Sequence, residues 1–145
     1  MRVSRMAISH FRGVKSATLE LNGHTLFVGQ NNVGKSTLFE AIDLVLGPDR
    51  LSRFPALEEF DFYNAKYLKE SGEPQPLRIE VLITDLSPEL QSACGAHLEF
   101  WHEADRRVLT RGEAELANAP ATTPCLRLET VGQYNLEEDE FEAHT

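Results

Sequence analysis

The chain has 145 residues, of which 41 % are hydrophobic and 26 % charged, a balance that excludes wholesale disorder and fibrous repeats and points to one globular domain. Its formal charge of −9 argues against a nucleic-acid grip, because phosphate binding runs on clustered Lys and Arg. No apolar run approaches the roughly 18 residues of a membrane span, and the amino terminus MRVSRMAISHF is too polar for a signal peptide, so a cytoplasmic chain with no membrane partner is expected.

The charge is uneven. Residues 1–37 carry five basic side chains against Glu20 alone, whereas residues 113–145 carry one basic and eight acidic side chains. The acidic stretch Glu137 to Glu142 reads as solvated surface, and the basic start is available to phosphates. Cys94 and Cys125 lie far apart without a CxxC or ligand-spaced His, so they read as small buried hydrophobes and not as a disulfide or zinc framework.

In chain order, Met6 and Ile8 lead a first strand that ends near Phe11, and Ala17, Leu19 and Leu21 alternate with polar neighbours as a second. Asn22-Gly23 is a hairpin signal because both residues tolerate positive φ, which makes HTLFV (24–28) a third strand that runs into Gly29. From Lys35, the apolar positions Leu38, Ala41, Ile42, Val45 and Leu46 mark one helical face, with Phe39 and Leu44 off the stripe and the helix enclosed on more than one side. Gly47, as a left-handed cap, and Pro48 stop it. Residues 49–76 form an irregular connection with a short helical turn.

The second half is antiparallel in character. LRIEVLIT puts Leu77, Ile79, Val81 and Ile83 on one strand face, and Ser87-Pro88 opens a helix with an N-cap followed by a favoured first residue. HLEFWHE and RRVLTR pair around Ala104 and Asp105, and CLRLETV alternates again.

Gly29, Gly34, Lys35 and Ser36 satisfy the spacing G-x-x-x-x-G-K-[ST]. Glycines let successive amides turn inward around a β-phosphate, and the following helix offers its positive end. Lys35 is placed to bridge the β- and γ-phosphates of ATP, Ser36 to set its hydroxyl on Mg2+, and Thr37 to reach the α-phosphate. A strand before the motif and an amphipathic helix after it supply the context that the motif requires. The run VLIT followed by Asp85 has the outline of a Mg2+-holding acid strand. Its alternation with Arg78 and Glu80 favours instead a turn into the Ser87 helix. Phe60, Phe62, Tyr63 and Tyr67 read as packing before they read as a stacking platform for bases.

The segment MAISHFRGVKSATLELNGHTLFVGQNNVGKSTLFEAIDLVLGP resembles the start of ABC-type ATPase heads of the RecF and SMC kind. GQNNVGKSTLFEAID, DFYNAKY (61–67) and GQYNLEEDEFEAHT are similar, more narrowly, to the OLD (overcoming lysogenization defect) family of ATP-dependent endonucleases. The resemblance implies an α/β fold: a partial ABC-type (P-loop NTPase) head with an antiparallel β-rich second half, organised as 1–48, 49–76 and 77–145. It also implies a nucleotide site of Gly29, Asn31, Asn32, Gly34, Lys35, Ser36 and Thr37, with Arg12 touching a phosphate, Ser36 on the metal, Arg50 or Arg53 facing phosphate, and Gln133 in the place of a glutamine that watches the γ-phosphate.

The segments that such heads use for hydrolysis, namely the LSGGQ-like signature, the acid strand with its catalytic glutamate and the switch histidine, do not occur before Thr145, nor does a Toprim acidic cluster. The chain is therefore expected to be the first half of a head, marginal in isolation, with a second head as its homodimer partner and DNA reached through other parts of the full-length protein. Two further readings stay open: a RecF- or SMC-like repair ATPase without nuclease activity, and a nucleotide-gated interaction module. A P-loop metabolite kinase fits less well, because the second half lacks a βαβ rhythm.

Overall fold

The computed structural model describes residues 1–21, 23–28, 34–47, 56–117 and 122–145. Two long strands, β1 (Arg2–Phe11) and β2 (Val14–Glu20), turn through Arg12 and Gly13 and pair antiparallel, with Met6 opposite Leu19 and Ile8 opposite Ala17. The other edge of β1 takes β3 (Leu77–Thr84), which pairs in turn with β6 (Thr122–Asn135). Beyond β6 lie β4 (Glu99–His102) and β5 (Arg107–Leu109), giving the order β2-β1-β3-β6-β4-β5, and β7 (Glu140–His144) pairs with the C-terminal part of β6. Every pairing among the described strands is antiparallel, so the expected α/β layout is realised as a mainly antiparallel sheet that carries few helices.

Period-two alternation in β1 and β3 aims Met6, Ile8, Leu77, Ile79, Val81 and Ile83 at one face, where α1 (Lys35–Leu46) covers them with Ala41, Leu44 and Val45. Burying each large aliphatic side chain there contributes about 1.5–3 kcal/mol. On the opposite face Leu82 meets Trp101 and Cys125 in a small second cluster. The C-terminal half of β3, Val81 to Thr84, is thus buried on both faces, whereas Arg78 at its start is exposed.

Several expectations meet their structure here. The strand ends near Phe11 and at Thr84, the Ser87 cap and the 99–109 hairpin all form; Ser87 Oγ accepts from the Leu90 amide at 3.4 Å at the start of α2 (Pro88–Ala93). Asp85 begins the turn after β3 at φ 54° and pairs with Arg2 at 3.3 Å. Its strand is antiparallel to both neighbours, so the turn reading of Asp85 holds over that of a metal-holding acid.

Others require correction. Residues 24–28 form no strand; Leu26 and Val28 are 85 % and 84 % exposed, and no described strand pairs with them. Alternation reports tolerance of an extended backbone, but a strand also needs a surface on which to bury its apolar side, and the half-exposed edge strand β2 offers little of one.

The buried face of α1 is Thr37, Ala41, Leu44 and Val45, which turns Leu44 inward and leaves Leu46 and Phe39 exposed. Gly47 ends α1 in an extended conformation (φ −71°), not a left-handed one. A glycine is needed there because a Cβ would collide with the Asp43 carbonyl oxygen and lie 2.7 Å from its Oδ1. The acidic tail is half hairpin: Leu136 to Asp139 turn, and β7 places Phe141 against Phe62, Tyr67 and Tyr134 with ring centroids 5.0–5.4 Å apart along that cluster. A third helix, α3 (Arg111–Ala117), was not foreseen in the sequence.

Cys125 is fully buried, and that burial, aided by the charge of Glu99, pushes its thiol up to about 11 from the ordinary 9.0. A raised thiol means that the folded state holds the proton more tightly than the unfolded chain. The contribution is complete below about pH 9 and is lost as pH rises toward 11, on the order of 2–3 kcal/mol at 1.36 kcal/mol per unit. Urea unfolding of the wild type and of Cys125→Ala across pH 8–11 should show a steeper alkaline decline for the wild type; parallel curves would refute it.

Candidate nucleotide-binding site

The site is built around the start of α1. Gly34 sits at the N-cap in the left-handed region (φ 85°, ψ 8°), a conformation that glycine adopts without the steric cost a Cβ brings. Gly34 has no side chain to cap this helix, and the first turn holds no acid. Among the described residues, the positive end of this 12-residue helix has neither an N-cap side chain nor a first-turn carboxylate to complement it. Gly34→Ala tests the geometry. Among the described residues its Cβ would meet only Val14 Cγ2, at 3.7 Å, so the expected cost is conformational, about 1–2 kcal/mol in denaturant unfolding, with phosphate affinity falling as the turn relaxes.

Lys35 occupies the first helical position and is half-buried; Ser36 is exposed, with its hydroxyl at the helix start. Thr37 is 9 % exposed and belongs to the buried face of α1, so the three residues do not present equally. Gly29, Asn31 and Asn32 lie outside the described residues, as do Arg50 and Arg53. Gln133 lies within β6, opposite Glu142 of β7.

Arg12 is the most heavily engaged of the expected site residues. It stands at φ 47° in the β1–β2 turn, its Nε donates to Asp61 Oδ1 at 2.9 Å, and its Nη1 pairs with Glu40 on α1. Its amide donates to the Asp61 carbonyl at 2.8 Å, and its guanidinium lies over the Phe11 ring, 5.4 Å from the centroid. Partial burial works to lower its pKa, but the hydrogen bond to Asp61 and the charges of Asp61 and Glu40 outweigh that and raise it. Arg12 thereby ties the β1–β2 turn to α1 and to the 59–61 helical turn. A phosphate at Arg12 has to compete with two carboxylates.

The sequence reading missed Asp61 and Glu40 as its partners. One signal existed. Glu58 and Asp61 have capping-box spacing, and the Glu58 amide does donate to Asp61 Oδ2 at 3.0 Å, which fixes the carboxylate that receives Arg12.

A left-handed glycine at the start of α1, followed by Lys35 and an exposed Ser36, is the described part of the G-x-x-x-x-G-K-[ST] pattern that characterises nucleotide-binding loops. The donor set fits a polyphosphate with its divalent ion: Lys35 and the first-turn amides suit the phosphate oxygens, and the Ser36 hydroxyl is a hard oxygen ligand suited to Mg2+. Residues 1–94 match the family model of the AAA ATPase domain, and the chain belongs to that family of ATP-binding ATPases. A comparison with curated proteins finds no match. No helix among the described residues is long and apolar enough to cross a membrane.

Proposed function

We propose that this chain is the Mg-ATP-binding part of an OLD-like, ATP-dependent DNA endonuclease. In this reading it acts within a full-length protein that pairs two ATPase heads and contacts DNA elsewhere. The observation that supports this most is the left-handed Gly34 at the uncapped start of α1, with Lys35 and Ser36 following at the offsets that a Mg-triphosphate requires. Arg12 stands by as a second cation, released to phosphate if Glu40 or Asp61 gives way. The acidic surface beyond residue 112 keeps DNA contacts off that part of the chain.

The test uses the full-length protein: titration with fluorescent ATP with and without Mg2+, then incubation with plasmid DNA and Mg-ATP. Mg2+-dependent ATP binding together with DNA cleavage is expected. ATP hydrolysis without cleavage would favour a RecF- or SMC-like repair ATPase, and absence of Mg2+-dependent ATP binding would overturn both.

A further inference from the structure

The chain has four lysines; one is Lys35 of the cradle, and the other three, Lys15, Lys66 and Lys69, line a single cleft of about 670 Å³. That clustering runs against a chain of net charge −9 and demands a reason. One wall is the β1–β2 hairpin, with His10 and Lys15; the other is the 63–75 loop, with Tyr63, Asn64 and Lys66. The walls are held together from behind: Phe11 bridges Phe62, and the Arg12 amide bonds to Asp61. The loop is braced internally by the Leu68–Pro74 bridge and by the Gln75 amide on the Tyr67 carbonyl at 2.8 Å. The cleft is therefore a built feature, with a volume inside the roughly 300–1,000 Å³ of ordinary ligand sites.

Its chemistry is specific. Lys69 pairs with Glu73 at 3.3 Å, and Glu70 also lines the cleft, but Lys15 and Lys66 have no carboxylate partner among the described residues. Two uncompensated ammonium groups beside the half-buried Tyr63 ring, itself edge-on to His10 with centroids 6.4 Å apart, combine a phosphate charge site with an aromatic surface. Of the aromatics in the 60–67 stretch, Phe62 and Tyr67 are consumed by the core, and Tyr63 is the one that lines the cleft. We propose that this cleft binds a nucleotide unit, an aromatic base joined to a phosphate, using Tyr63 for the base and Lys15 with Lys66 for the phosphate. The cleft lining includes none of Gly34, Lys35 and Ser36, and the proposal stands whether or not the cradle holds ATP.

The test measures anisotropy of a labelled 12-residue oligothymidylate without terminal phosphates, in EDTA, with thymidine monophosphate as competitor. Binding of the oligonucleotide alone assigns the unit to a single strand; displacement by the monophosphate assigns it to free nucleotide; either supports the site. The double variant Lys15→Ala/Lys66→Ala should weaken binding tenfold or more, and on the strand it should flatten the log-log salt slope by about 1.4, at about 0.7 per phosphate contact. Tyr63→Leu should weaken it by roughly 5- to 150-fold, the range of one lost base stack. Lys15 and Lys66 are exposed, so the double variant should keep the wild-type melting temperature and Mg-ATP binding, and Tyr63→Phe, which keeps the half-buried ring, should restore most of the binding that Tyr63→Leu loses. Failure of both ligands to bind, or equal binding by the double lysine variant, overturns the proposal, whereas loss of ATP binding with oligonucleotide binding intact touches only the cradle.

Discussion

Lys35→Ala is expected to weaken Mg-ATP binding by roughly 10- to 150-fold while leaving the ligand-free protein folded. The magnitude follows from losing a hydrogen-bonding ammonium to a charged phosphate, about 1.5–3 kcal/mol, at 1.4 kcal/mol per tenfold. The position matters as much as the charge. Lys35 opens α1 directly after a left-handed glycine, so in the proposed site its ammonium and the helix end would act on the same anion. Thermal unfolding provides the readout. A ligand at 100 times its Kd stabilises the wild type by about 2.7 kcal/mol, and the variant at the same ATP concentration should keep only about 0.3–1.4 kcal/mol of it. Equal stabilisation of the two proteins would place ATP somewhere other than the start of α1.

Phe62→Ala is the substitution expected to cost most in stability, about 3–5 kcal/mol, against the 5–15 kcal/mol that holds a typical domain folded. Phe62 is fully buried, bridges Phe11, and packs its ring 5.4 Å from Phe141 and 6.2 Å from Tyr67. Its loss opens a cavity where β1, the 59–65 turns and the C-terminal hairpin meet. It also loosens its neighbour Asp61, and with it the hold on Arg12. Urea unfolding should show a lower midpoint with an unchanged slope. Phe60→Ala, two residues away and 72 % exposed, should stay within about 0.5 kcal/mol of the wild type. Similar costs for the two would contradict the packing described for this corner.

The helix start from Gly34 to Ser36 was legible in the sequence because it is local. The GKST run sets one glycine, one ammonium and one hydroxyl at fixed offsets, and a helix start gathers them without help from distant residues. The same holds for the Ser87-Pro88 cap and for the alternation that places Ile79, Val81 and Ile83 on one face of β3. The HTLFV segment misled for the complementary reason. Its pattern is that of a strand, but pairing depends on an edge that the pattern cannot name, and Leu26 and Val28 stand in solvent. Likewise the acidic run near residue 140 hid β7, because Phe141 acquires its meaning only beside Phe62 and Tyr67.

By itself the sequence determined the phosphate-binding motif, most of the strands and the antiparallel character of the second half, since each depends on neighbours within a few residues. Tertiary structure alone decided that the sheet is antiparallel from edge to edge, that Thr37 joins the buried face of α1, that Arg12 answers to Glu40 and Asp61, and that three lysines separated by up to 54 positions share one cleft. These are contacts between segments far apart in the chain. They are set by which faces bury together, and periodicity along a single segment carries no record of its partner.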